Sequence, residues 1–178
     1  MIIRVFTGLA TAVVFLFTGC SKKDLPVRTY PLGEKVVLGG LIYSAFETQW
    51  LTQMGEEPAP RLPQNRFFLV RVSITNSSSA DAMAPAMSIV DDNGNTYQEL
   101  SNGEGAPQWI GYLRQIRPAD TAQGNVIFDA PPRHYKLRVT DDTGERVGLI
   151  DIPLSFTAET PEVIHPGDKS APSDVFKK

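Results

Sequence analysis

Apolar and polar positions alternate along the middle of this chain with a period of two. The clearest case is the run from Phe68 to Thr75. Phe68, Val70, Val72 and Ile74 are apolar, and Arg71, Ser73 and Thr75 are polar. That is the pattern of a strand with one buried and one wet face. Phe67 and Leu69 interrupt the polar face at its start, so that end is expected to be covered on both sides. Asn76-Ser77-Ser78-Ser79 closes the run with turn chemistry. Val36-Val37-Leu38 and Leu41 to Phe46 flank Gly39-Gly40, which predicts a bulge or a tight bend.

Two hairpins follow the same recipe. In the first, Met87, Ile89 and Val90 lead into Asp91-Asp92-Asn93-Gly94-Asn95 and then Thr96-Tyr97. Asn-Gly between strand-like runs is a strong hairpin signal because both residues tolerate positive φ. In the second, Leu137-Arg138-Val139 precede Asp141-Asp142-Thr143-Gly144, and Val147 to Ile152 return. Val126-Ile127-Phe128 lies between them and is stopped by Pro131-Pro132. About seven strands, few helical patterns and no βαβ rhythm predict an all-β fold, an antiparallel Ig-like β-sandwich. The Cys…Trp…Cys spacing of antibody domains is missing.

The two ends of the chain read differently. Arg4 is followed by an apolar and small-residue run from Val5 to Phe17, then Thr18-Gly19-Cys20. A basic start, a short apolar stretch and a small-residue stop make a secretory signal peptide, and the run is too short for a comfortable membrane span. Phe17-Thr18-Gly19-Cys20 resembles a lipobox, with Phe17 where Leu is usual. The resemblance implies that Cys20 is lipidated and becomes the first residue. Two or more acyl chains anchor a protein stably where one does not. The organisation expected is a lipoprotein signal peptide over 1–19, a tether over 20–32, the β-sandwich over 33–157 and a disordered tail over 158–178. Ser21 after Cys20 points, by the enterobacterial sorting rule, to the outer membrane facing the periplasm.

Composition narrows the function classes. Cys20 is the only cysteine, so the fold stands on packing without disulfides. Loss of Arg4 with the signal takes the formal charge from −3 to −4, and there is no basic stripe of the kind nucleic acid requires. No nucleic-acid partner and no cofactor are expected.

Leu32-Gly33-Glu34, the strand from Arg66 to Asn76, the hairpin Val90 to Tyr97, and Pro118 through Gly124 to Pro131 occur in an order that resembles bacterial secreted or lipid-anchored single Ig-like domains of the telokin-like kind. Pro118-Ala119 stands where that pattern has Pro-Gly. The resemblance covers about Leu32 to Val139. It implies a fold, an unknown function and no catalytic residues.

Candidate chemistry is sparse. Asp91, Asn93 and Asn95 look like half a calcium loop, but the sixth and twelfth positions are Thr96 and Asn102 where an EF-hand needs Gly and Glu. Met83 and Met87 would share one strand face and suit Cu(I), yet a core face explains them as well. No serine carries a nucleophile-elbow pattern, and Glu56-Glu57 reads as a solvated pair, so no enzyme is expected. Two long loops remain, Gln49 to Pro63 with Trp50, and Asn102 to Leu113 with Trp109 and Tyr112. Trp50, Trp109 and Tyr112 are the candidate partner-binding residues, or Trp50 and Trp109 cap the core. The leading expectation is a lipid-anchored, non-enzymatic binding module that holds an unknown envelope protein. The alternatives are a structural envelope component without a discrete site and a small-ligand or metal carrier.

Overall fold

The computed structural model describes residues 26–155. The signal peptide, Cys20 and the segment from 158 onward lie outside them. Eleven strands and no helix are formed among the described residues: β1 (Arg28–Pro31), β2 (Val36–Leu38), β3 (Leu41–Leu51), β4 (Phe67–Asn76), β5 (Ala82–Ala84), β6 (Ser88–Asp91), β7 (Thr96–Gln98), β8 (Arg114–Ile116), β9 (Thr121–Asp129), β10 (Tyr135–Thr140) and β11 (Val147–Ile152). They assemble into a sheet of order β1-β11-β10-β6-β7, a second of order β2-β3-β4-β9, and a β5-β8 ribbon. The result is a β-sandwich.

The strand count exceeds the expected seven because several strands are only three or four residues long. The first sheet is also mixed, since β1 runs parallel to β11, with Arg28 opposite Gly148 and Pro31 opposite Asp151. Part of the expected tether is therefore strand. The outer edge of β11 offers unpaired backbone groups, and Arg28 to Pro31 satisfies them. Pro31, which cannot donate, sits on the edge strand, where no inner ladder bond is lost.

Alternation on β4 places its side chains. Phe68, Val70, Val72 and Ile74 face the main core with Val126 and Phe128 of β9 and Leu137, Val139 and Ile150 of the opposite sheet. Phe67 and Leu69 point the other way and, with Met54 and Ile127, make a second cluster outside the β3-β4-β9 sheet. Each such side chain removed from water contributes roughly 2 kcal/mol. The two-faced start of β4 is thus covered on both sides. Tyr43 and Tyr135 are buried to 1% and 0% exposure, and each hydroxyl donates to a backbone carbonyl, of Thr140 at 2.7 Å and Pro131 at 2.6 Å.

Gly39-Gly40 form the two-residue connection between β2 and β3, with Leu38 opposite Leu41. The β2–β3 ladder itself is regular; the irregularity of β3 falls later, in its pairing with β4 between Ala45 and Glu47, and leaves Phe46 exposed. The two methionines read as sharing a face do not share one. Met83 is exposed on β5, whereas Met87 lies beyond the strand and is buried.

Both predicted hairpins form, and each is held by its first aspartate. Asp91 accepts from the backbone N–H groups of Asn93 and Asn95, the Asn95 side chain, and Arg133 at 2.8 Å. Asp141 accepts from Thr143 Oγ1 and the Arg146 N–H. The Asn95 amide, aided by the other donors, lowers the Asp91 pKa from 3.8 to about 2. A native pKa below the unfolded value stabilises the fold above 3.8, and that share is lost as the pH falls through 3.8 towards 2. Unfolding midpoints in urea across this range are expected to fall less steeply for Asp91→Asn than for the wild type.

The connection before β9 is a type II turn. Asp120 N–H donates to Arg117 O at 3.1 Å, Pro118 occupies the second position, and Ala119 the third with φ +61°. That third position requires positive φ and favours Gly. A left-handed L-residue costs about 1–2 kcal/mol, and Gly loses about 0.5–1 kcal/mol of backbone entropy, so Ala119→Gly is expected to stabilise the domain by about 0.5–1 kcal/mol. Chemical denaturation of the two proteins measures the difference.

Candidate functional site

Both long loops meet at one end of the sandwich. The first connects β3 to β4 over 52–66, and the second connects β7 to β8 over 99–113. The first folds back on itself through Met54 and Arg61, whose backbones exchange hydrogen bonds of 3.0 and 2.7 Å. Asp129, at the end of β9, accepts from the N–H groups of Gln64 and Asn65 at 2.6 and 2.8 Å and returns this loop to the sheet.

The second loop runs along the outer edge of β9. Leu100 N–H donates to Ile127 O, Asn125 N–H to Gln108 O, and Ile110 N–H to Asn125 O, at 2.8, 2.8 and 3.1 Å. A nine-residue edge strand that would otherwise invite foreign pairing is thereby covered.

The loops also hold each other. Arg61 Nη1 donates to Asn102 O at 2.7 Å, and its guanidinium lies 5.3 Å from the Phe67 ring centroid. Gly55 N–H donates to Gly105 O at 3.3 Å. A Cβ on Gly105 would meet the Gly55 backbone at 2.6 Å, so the approach requires glycine, and its φ of +77° requires it again. Gly103 faces Trp109 so closely that a Cβ would fall 2.1 Å from the indole.

Beneath this clasp lies the second apolar cluster, with Leu51, Leu100, Ala106 and Trp109 packed over it. Beside it opens a cleft of about 840 Å³ lined by Met54, Glu56, Ala59, Glu104 and Pro107, with Arg61 at its wall. Glu56, Ala59, Glu104 and Pro107 are exposed. Neither Glu56 nor Glu104 has a cationic partner among the described residues. Such a surface can hold a partner through shape, backbone groups and two solvated carboxylates. No group of three or more His, Cys, Asp or Glu that could hold a metal occurs among the described residues.

The three aromatics singled out from sequence do not converge. Trp50 is not in a loop, because β3 continues to Leu51 and pairs Trp50 with Phe68. The two rings stack at 4.1 Å, and Trp50 packs against the main core. Trp109 packs on the other cluster, and its buried indole N–H has no hydrogen-bond partner among the described residues. Tyr112 is half-buried.

Two further groupings had no sequence signal, since their members are far apart in the chain. Glu99 and Arg114 form an ion pair with side chains 0% and 1% exposed, closing the base of the second loop. His134 stands between Asp92 and Asp151, with ring nitrogens 3.0 Å from each carboxylate. It joins the β6–β7 turn to β11 at a partly exposed position, where such polar contacts contribute little.

Comparison with known proteins agrees with this architecture. No curated protein matches the chain. Among solved structures, the yjhA protein of Bacillus subtilis superposes with a TM-score of 0.55 at 12% identity, covering 70% of this chain and 99% of that one. MPT63, a secreted protein of Mycobacterium tuberculosis, gives a TM-score of 0.50 at 13% identity over 70% and 96% of the two chains. A candidate lipoprotein of Bacillus subtilis, ycdA, gives 0.50 at 10% identity, covering 69% of this chain and 39% of that one. At these identities the likeness is one of fold. Residues 30–147, well over half of the chain, match the family model described as a domain of unknown function, DUF4352. They span the sandwich from β1 to the start of β11, so the chain belongs to the DUF4352 family.

Proposed function

We propose that this protein is an envelope-tethered, non-enzymatic binding module of Ig-like kind, anchored through a lipidated Cys20, whose partner docks in the cleft between the two long loops. The observation that carries the reading is the clasp itself. Two loops fixed to each other and to the sheet at Gly55–Gly105, Arg61–Asn102 and Asp129 present a preformed concave surface. Function commonly resides on loops that a rigid scaffold positions, and a preformed surface loses less entropy when it binds. The lipobox-like Phe17-Thr18-Gly19-Cys20 supports the envelope location, as does the presence of a secreted protein and a candidate lipoprotein among the structural neighbours.

Trp109 packs on the apolar cluster beneath this surface, whereas Trp50 packs in the main core. Their replacement perturbs packing, so the sharper test uses exposed residues. Glu56→Lys with Glu104→Lys reverses the charge of the cleft without touching either core. Crosslinking in intact cells followed by mass spectrometry is expected to recover a reproducible partner with the wild type and to lose it with this variant. The thermal midpoint should stay unchanged. Identical crosslinked partners from both proteins, or none from the wild type, overturn the reading.

A further inference from the structure

Arg71 stands on β4 where the covered half of the outer sheet face ends. Leu69, two residues before it, is buried in the second apolar cluster, and Ser73 and Thr75 beyond it are partly exposed. Beside Arg71 the sheet and the second loop leave a pocket of about 100 Å³. Leu69 and Arg71 of β4, Glu47 and Gln49 of β3 and Asn125 of β9 line it, with Pro107 and Gln108 from the second loop. It shares only Pro107 with the larger cleft.

The guanidinium in this pocket is poorly partnered. Its Nε is buried and has no hydrogen-bond partner among the described residues. Its Nη1 stands 3.9 Å from Glu47 Oε2, beyond hydrogen-bond reach, and its central carbon lies 5.9 Å from the Phe46 ring centroid. A guanidinium carries its donors in a fork that matches a carboxylate, and a buried donor left unpaired is costly. The Arg71 side chain keeps 28% of its surface exposed, so the fork has an open side on which to meet a ligand. The loop side of the pocket is held firmly. Asn125 donates from its N–H to Gln108 O and from Nδ2 to Pro107 O, both at 2.8 Å. Gln108 is thereby kept at φ +47°. A residue with a Cβ rarely adopts that conformation, which persists where the surroundings over-determine it, ligand sites among them. The side-chain amides of Gln49 and Gln108 are exposed and make no hydrogen bond among the described residues.

We propose that this pocket binds a single carboxylate group, held by the Arg71 fork with the Gln49 and Gln108 amides as further donors. Charge sets the ligand class. Arg71 is the only cation lining the pocket and Glu47 the only anion. One guanidinium matches the single charge of a carboxylate, whereas Glu47 opposes the double charge of a phosphate monoester. Size sets the rest. About 100 Å³ is the room of roughly three waters, enough for a carboxylate and one or two further carbons. The site depends neither on the Cys20 anchor nor on a partner in the cleft.

The test is a titration of the full chain, labelled with ¹⁵N and held in neutral detergent micelles, followed at the Arg71 Nε–H resonance. The probes are sodium acetate and N-acetylglutamate α-amide, with sodium chloride at matched ionic strength as the control. So few contacts give a dissociation constant on the order of millimolar, and about 100 mM probe then saturates the site. Acetate is expected to shift Arg71 Nε–H and the Gln49 and Gln108 side-chain amides along one saturating curve that chloride does not reproduce. Saturation by acetate alone identifies a free small acid as the source of the carboxylate; saturation by the blocked glutamate as well identifies an acidic side chain. Arg71→Gln is expected to abolish the shifts at both amides. Glu47→Gln, at an exposed position, is expected to tighten acetate binding about threefold by removing the opposing charge. No saturating shift beyond that in chloride, saturation that survives in folded Arg71→Gln, or weaker binding by Glu47→Gln overturns the site.

Discussion

Arg114→Met is expected to destabilise the domain by about 3–5 kcal/mol, the cost of removing one partner of a buried ion pair. The Arg114 and Glu99 side chains are 1% and 0% exposed. Glu99 also accepts from the Met87 N–H at 2.9 Å, and Arg114 donates from Nε to Gly111 O at 2.7 Å. Burial pushes the Arg114 pKa down to about 10, so the guanidinium still carries its charge at neutral pH. With Met in its place the Glu99 carboxylate keeps only the Met87 N–H, deep among apolar side chains. The double variant Glu99→Leu with Arg114→Met removes both charges and is expected to recover most of the loss, because an apolar pair of similar volume often equals a buried salt bridge. Urea denaturation of the single and double variants gives the coupling. A double variant as unstable as the single one would show that the pair does more than neutralise itself.

That ion pair also illustrates what a sequence conceals. Glu99 and Arg114 flank a glycine-rich stretch and read as surface charges. Only the closure of the second loop brings them together inside the domain. The strands were legible because alternation on β4 and the Asp-initiated hairpins are local facts, written in residues a few positions apart. The second core was half legible. Phe67 and Leu69 on a polar face announced a covering, while its identity, two loops sealed over Met54 and Ile127, depended on contacts across the chain. Trp50 was misplaced for a related reason. Proline and glycine soon after it suggested a loop, but stacking on Phe68 keeps the strand extended to Leu51. The cleft had no local signature, since it arises where Gly55 and Gly105, fifty positions apart in sequence, touch backbone to backbone.

Asn76→Leu is expected to cost about 2–4 kcal/mol, because each buried polar group left without a partner costs about 1–3 kcal/mol. Asn76 ends the central strand and is fully buried. Its amide donates to Ala80 O at 2.7 Å and Ile116 O at 2.8 Å, and its Oδ1 accepts from Ser78 N–H at 2.9 Å and Ser78 Oγ at 2.7 Å. Its backbone N–H donates to Asp120 O, and its backbone carbonyl accepts from the Ala119 N–H. One side chain thus fastens the end of β4 to the β5–β8 ribbon and to the turn that starts β9. Leu matches Asn in size and leaves Ile116 O and the Ser78 N–H unpaired. Asp is the more informative replacement. It retains both acceptor bonds from Ser78 but turns a second oxygen towards the carbonyls of Ala80 and Ile116, where a donor is needed. Asn76→Asp at neutral pH is therefore expected to be at least as unstable as Asn76→Leu, despite being closer in shape. Amide hydrogen exchange should localise the damage to β5, β8 and the 117–120 turn, leaving the β10–β11 hairpin protected. A mild Asn76→Asp phenotype would mean that the two donor bonds contribute little and that packing alone holds the ribbon to the sandwich.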